Sequence, residues 1–581
     1  MSVTAVCESL RLDDRVRAVL GALDRPLVDI TVAGGARAPL VATLTRHGDV
    51  HGQADDGTLA PDAARPIVVV TATTREADDF AAALGSFLPP ETIATFPSWE
   101  TLPHERLSPR SDTVGRRLAV LRRVAHPEPD GGAYGPLRVV VVPVRALLQP
   151  IAIGLADLVP VSLRVGQERP LEEVVDALVA AAYTRTDLVE RRGEFAVRGG
   201  LLDVFPPTEQ HPVRIEFWGD TVEEIRWFKV ADQRSLEVSE HGLWAPPCRE
   251  LLLTDSVRAR ARALASQLPG VADLLEKVAE GIAVEGMESL APALVDGMES
   301  MLDTFPHGSM VLLSDPERIR TRAHDLVATS AEFLDASWSN AAAGNVVPID
   351  LQSVLGTASY WDLADVRAHA LEIGARWWSL TSFTADSDLA RPTEPTGPDA
   401  VPGAGSALSF DLGTADVEAF RGNTEAAVSA LSGWARDGWS VLVVVDGPGL
   451  ARRVTEILGE NEVPVTMAEA DPGAPLAAGI VHVTTGALGH GFLLPAQRLV
   501  VVAESDLTGQ PGGGTTTKDM RRMPSRRRNQ VDPLSLRPGD HVVHEQHGVG
   551  RFVEMMQRTV QGATREYLVI EYAPSRRGQP G

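Results

Sequence analysis

A chain containing YTRTDLVERRGEFAVRGGLLDVFPPTEQHPVRIEFWGD, residues 183 to 220, must build a small antiparallel sheet there. Phe195 and Val197 alternate with Ala196 and Arg198, so the first pair faces one side and the second pair the other. Gly199-Gly200 supplies a turn or bulge, Leu201 to Phe205 continues as an apolar strand, and Pro206-Pro207 ends it. Val213, Ile215 and Phe217 alternate with Arg214, Glu216 and Trp218 before Gly219-Asp220 turns the chain again. Upstream, Leu171, Val174, Val175, Leu178, Val179 and Ala182 make one helical stripe that supports the sheet. Arg185 is expected at the end of that helix, and Arg198 on the solvent side of its strand.

Around this stretch, 581 residues exceed one core and suggest several domains. Residues 1–150 alternate strands (Leu27 to Val32, Ile67 to Thr71, Val139 to Val142) with helices, and Thr73 with Glu76 has capping-box spacing. A wholly apolar strand such as Val139 to Val142 belongs to a largely parallel sheet covered by helices on both faces. The small sheet occupies 151–235, and α/β patterning returns over 236–385, where Val311 to Leu313 is a strand and Ser314 with Glu317 is expected to cap a helix. Residues 386–406 are a Pro/Gly-rich linker, and 407–507 a second α/β unit with a helix over Asp416 to Trp434. A basic run at 508–530 is either a solvated linker or a transient contact with nucleic acid or polymerase. Residues 531–581 are hairpin-rich.

Acidic residues number 78 against 54 basic, a net charge of −24, which repels bare nucleic acid wherever basic residues do not cluster. Cys7 and Cys248 have no metal-site spacing, and His541, His544 and His547, three apart on a strand, do not converge on a metal. No signal peptide and no apolar run of about 20 residues is present, so a cytoplasmic chain without membrane association is expected. Asp446-Gly447-Pro448-Gly449 lacks G-x-G-x-x-G spacing and reads as a helix-entry turn.

Arg192-Gly193, Phe195, Val197-Arg198-Gly199, Asp203, Phe205-Pro206 and Arg214-Ile215-Glu216-Phe217 together resemble the domain shared by UvrB and the transcription-repair coupling factor family, Mfd. Phe96-Pro97-Ser98-Trp99-Glu100-Thr101-Leu102-Pro103 is similar to the W-E-T-L-P stretch of the coupling factors, and Ser111 to Val124 runs directly into a helix where UvrB inserts a DNA-gripping hairpin. The segment V-V-H-x-x-H-G-V-G-R followed by E-Y-L, at 542–551 and 566–568, resembles their CarD-like RNA-polymerase-interacting domain.

The resemblance implies an α/β multidomain fold. It has a Rossmann-like, helicase-like α/β domain with an inserted small α+β UvrA-binding domain, a second α/β domain, and a small β-rich SH3/Tudor-like, CarD-like domain. It implies UvrA contacts at Arg185 and Arg198, with Ala196 where UvrB has a third arginine, and a contact from Arg558 to the RNA polymerase β subunit. From the residues alone these arginines are solvated charges. UvrB has a phosphate loop after its first strand. Here Gly34-Gly35 is followed by Ala36, Arg37, Ala38 and Pro39, without the lysine or the Mg²⁺-holding hydroxyl. No nucleotide-binding, catalytic or metal residue and no cofactor is therefore expected in this chain.

In the family, ATP, Mg²⁺ and double-stranded DNA belong to translocase domains whose motifs these residues lack. The chain is read as an amino-terminal portion, cut inside the polymerase-binding domain. Other readings are a UvrB-type DNA-handling ATPase, opposed by the missing lysine and hairpin, and a CarD-like transcription regulator, which leaves residues 183–220 unexplained.

Overall fold

The computed structural model describes residues 3–51, 65–102, 107–128, 134–239, 241–341, 359–382, 407–467, 476–509, 537–544, 548–560 and 563–572. The linker at 386–406, most of the basic run at 508–530 and His547 lie outside them. The chain divides into two units, residues 1–523 and 524–581.

The first unit is organised on a seven-stranded sheet, in the order Leu408–Asp411, Leu27–Thr31, Arg376–Thr381, Met310–Ser314, Ile67–Thr71, Val139–Pro143 and Ile93–Thr95. Every pairing is parallel. Three adjacent strands, Met310–Ser314, Ile67–Thr71 and Val139–Pro143, are buried at every position. Ile67, Val69, Val139, Val141, Met310 and Leu312 enter one core, while Val68, Val70, Val140, Val142, Val311 and Leu313 enter another on the opposite face. The two-residue period of the pleat thus loads both faces with valine and leucine. Thr73 caps the helix Thr74–Leu84 as its spacing predicts, accepting from the Glu76 N–H at 3.2 Å. Ser314 does not cap: it ends its strand, its hydroxyl accepts from Arg37, and the helix begins at Pro316.

The late strands 310–314 and 376–381 sit between the early strands 27–31 and 67–71. Two stretches of chain therefore interleave in one sheet, and the small domain leaves and re-enters between them. Its strand pairing runs from Val161 to Ala245, because Val161–Leu163 pairs with Leu243–Ala245, whereas Ile151–Ala152 pairs with Met298–Glu299. The expected span of 151–235 is corrected accordingly. After it comes a purely helical lobe, including Asp255–Leu264 and Ala272–Ala279, with its own core around Leu275, Leu290 and Leu294.

The second α/β unit also differs from expectation. Leu408–Asp411 joins the first sheet, and Ala415–Asp416 is a strand; the helix there is Thr424–Arg436, capped by Asn423. Its own sheet runs Ala415–Asp416, Phe492–Leu494, Leu499–Ala503, Ser440–Val445, Val481–Thr485 and Val465–Met467. One face, with Val441, Val443 and Val500, packs under its own helices. From the other, Leu442, Val444, Phe492 and Val501 share a continuous core with Val28 and Ile30 of the first sheet and Leu40 of the helix Arg37–His51.

Residues 524–581 contribute an antiparallel three-stranded sheet of His541–His544, Gly548–Val560 and Ala563–Tyr572. Buried Phe552 anchors the start of the long hairpin, accepting from the Gly539 N–H and donating to the Asp540 carbonyl.

Candidate docking surfaces

The inserted sheet has the order Ser235–Val238, Thr221–Phe228, Val213–Trp218, Leu201–Val204, Glu194–Arg198 and Thr184–Arg185, antiparallel except for the last pair. Phe195, Leu202, Val204, Val213, Ile215 and Phe217 form its core together with Val174 and Leu178 from the helix Leu171–Ala180. Ala196 is buried too, against Val189, Phe205 and Phe228, so the face opposite the main core is dry at that point.

Most of the sequence signature resolves into structural roles. Arg214 donates to both oxygens of buried Asp203, from Nε at 2.7 Å and Nη2 at 2.8 Å, and its guanidinium lies 4.6 Å from the Phe228 ring centre. Arg192 donates to the Glu209 carbonyl and lies over Phe205, and burial lowers its pKa. Gly193 has φ +85°, and a Cβ there would come within 3.1 Å of the Cys248 sulfur.

Arg185 and Arg198 have no such duty and are exposed. Arg185 is not at a helix end. It lies in the edge strand, opposite Phe195. Pleat alternation then assigns Arg185 to the Phe195 side and Arg198 to the Ala196 side. Arg198 donates to the Asp187 carbonyl at 2.8 Å, two residues beyond Arg185, so both arginines serve one edge of the sheet.

The Gly34–Ala36 turn follows the first strand, where a phosphate loop would sit, and leads into the helix Arg37–His51. It is filled from within. A Cβ on Gly35 would fall 2.2 Å from the His490 carbonyl oxygen and 2.7 Å from that of Gly491, and the Ala33 N–H donates to Thr414 Oγ1 at 2.7 Å. Carbonyl oxygens facing a turn that would cradle phosphate repel an anion. Arg37, 9% exposed, donates to Ser314 and Ser382, and burial lowers its pKa against the pull of Asp315, Asp416 and Glu76.

A second network was not foreseen. Arg117, fully buried, donates from Nε to Glu250 at 2.5 Å and from Nη1 to the Pro97 carbonyl at 3.0 Å, and sits 4.4 Å from the Phe96 ring centre. Trp99 donates its indole N–H to the same Glu250 oxygen at 3.0 Å. The W-E-T-L stretch is thus a clasp between the first sheet and the exit of the inserted domain. Only the helical pattern of 111–124 hinted that Arg117 faces inward.

In the terminal unit Arg558 lies on the strand Gly548–Val560, in register with Arg565. His541–His544 covers only Gly548 to Arg551 of that strand, so from Phe552 onward its other edge has no strand partner among the described residues. Among the described residues no three metal-ligating side chains converge, and no helix is long and apolar enough to cross a membrane.

Comparison with known proteins adds two family-model matches: the UvrB interaction domain over residues 161–246 and the CarD-like/TRCF RID domain over 536–577. The chain is 47% identical over 527 residues to a transcription-repair-coupling factor of Mycobacterium bovis, covering 88% of this chain and 40% of that protein. It is 23% identical to that of Bacillus subtilis, over 89% of this chain and 42% of the relative, and 25% identical to that of Escherichia coli, over 83% and 39%. The chain therefore spans about two fifths of the length of the curated relatives it matches.

Proposed function

We propose, on the premise that this chain is a relative of the transcription-repair-coupling factors, that it is the adaptor part of such a protein. It would link a stalled RNA polymerase, held through the β subunit at Arg558, to UvrA, held at Arg185 and Arg198. Double-stranded DNA, ATP and Mg²⁺ would be handled by other parts of a whole coupling factor, which displaces the polymerase, and the adaptor itself would need no cofactor and would work in the cytoplasm. The observation that carries this reading is the presence, in one chain, of a UvrB interaction domain and a CarD-like/TRCF RID domain.

A non-catalytic role is supported by the glycine turn, whose Gly35 abuts the His490 and Gly491 carbonyls, and by the missing lysine. A polymerase contact is supported by the open strand edge beside Arg558, because an exposed edge can accept a strand from a partner.

The test is parallel capture of purified UvrA and of the polymerase β subunit on the immobilised chain, with an ATPase assay alongside. Capture of both without turnover is expected. Turnover that disappears on mutating Gly34 or Gly35 would overturn the adaptor reading. Arg558→Asp should abolish β-subunit capture and leave UvrA capture intact, and undiminished β-subunit capture would remove Arg558 from the interface.

A further inference from the structure

Trp218 is the most exposed large apolar side chain among the described residues, at 77%. It ends the strand Val213–Trp218, in which Val213, Ile215 and Phe217 point into the core and Arg214, Glu216 and Trp218 point away. Across the sheet, Arg198 lies opposite Leu201, Leu201 opposite Glu216, and Glu216 opposite Glu224. Trp218 is thus on the same face as Arg198. Two strand spacings across and two residues along put their Cα atoms roughly 12 Å apart. Both fit within one standard interface patch of about 800 Å² per partner.

The support beneath Trp218 is rigid. Gly219, with φ +60°, makes the turn, and the Arg169 N–H holds the Asp220 carbonyl at 2.7 Å. Gly166 and Gln167 exchange backbone hydrogen bonds with Val222 at 2.8 and 2.9 Å. Gly199 and Gly200, at the neighbouring hairpin, carry no side chain that would shield the indole. A tryptophan presented on a braced turn beside an arginine has the composition of an interface hot spot and spends little ordering entropy on binding.

We propose that Trp218 is the aromatic anchor of this face and that it inserts into an apolar pocket of UvrA, beside a carboxylate that meets Arg198. The inference rests on the UvrA reading above and adds a residue to it. The face suits such a partner because Asp203 already neutralises Arg214, and Arg226 already pairs with Glu224, leaving Arg198 and Glu216 beside the indole as its charged frame.

The experiment measures UvrA affinity for the unmutated chain, Trp218→Ala, Trp218→Phe and Arg198→Ala, with a melting curve for each and sedimentation of the chain alone. Trp218→Ala should bind about 30-fold more weakly with unchanged melting, and Trp218→Phe should stay within a few-fold of the unmutated chain. Unchanged affinity in Trp218→Ala while Arg198→Ala is weakened would overturn this inference and spare the docking reading. No UvrA binding by the unmutated chain would overturn both. A self-associated chain that Trp218→Ala converts to monomer would give the face to a second copy and overturn the assignment to UvrA.

Discussion

Arg185 and Arg198 stand apart from Arg192, Asp203 and Arg214, which are already engaged within the sheet. Arg192, Asp203 and Arg214 hold the sheet together, so their presence in the pattern reports a fold, and the two exposed arginines report a surface. Truncating one partner of a desolvated interfacial charge pair costs about 2–5 kcal/mol. Arg185→Ala and Arg198→Ala should each weaken UvrA capture roughly 30-fold or more, with little change in melting temperature. Equal affinity in both folded variants would return them to solvated charges.

Glu250 behaves in the opposite way. Glu250→Ala strands the buried Arg117 guanidinium and should cost about 3–5 kcal/mol of stability, read by denaturant titration. Burial also raises the Cys7 thiol to about 11 and the Cys248 thiol to about 12. The unfolded chain loses these protons first, near pH 9, so their contribution to stability is complete below that pH and declines as pH rises toward 11 and 12. Both thiols should resist alkylation at pH 8 until the chain unfolds; rapid labelling of the native chain would contradict their burial.

The strands Ile67–Thr71 and Val139–Pro143 were legible because their valine runs are unbroken by any charge, and the Thr73 cap because its hydroxyl is three residues from Glu76. What escaped was set by long-range pairing. Leu408–Asp411 reads like the opening strand of the unit that follows it, and only its register with Val28 to Thr31 gives it to the first sheet. Arg185 likewise continues a helical stripe in sequence, yet Gly193 and Phe195 capture its segment as an edge strand through the Thr184 and Thr186 N–H groups. Arg185 and Arg198 stood out in the sequence only through the resemblance, since exposure cannot be read from a single strand. Gly35→Ala tests the filled turn: the added methyl has no room against His490 and should cost about 1–3 kcal/mol, seen as a lower melting temperature. An unchanged melting temperature would mean that the segment 488–492 yields freely.

At the scale of the molecule, residues 1–523 carry a core that passes without a break from the first sheet to the second, while residues 524–581 form their own unit. Ending the chain at residue 509 should leave the main melting transition where it was and remove only β-subunit capture. Removing 412–509 instead would strip Leu442, Val444, Phe492 and Val501 from Val28, Ile30 and Leu40, and should leave an insoluble remainder. A soluble, cooperatively melting remainder would disprove the shared core.

The interleaved strand order has one more consequence, in time. Strands 27–31 and 67–71 have Arg376–Thr381 and Met310–Ser314 between them, so neither gains those neighbours until the ribosome has made the whole inserted domain and the helical lobe. At about 5–20 residues per second that interval is on the order of tens of seconds. During it the strand 67–71 is paired on one edge only, with Val139–Pro143, and the strand 27–31 on neither edge, on a nascent chain whose inserted sheet, built from neighbouring hairpins, can already close. Synthesis of this protein should therefore depend on whatever shields those waiting edges.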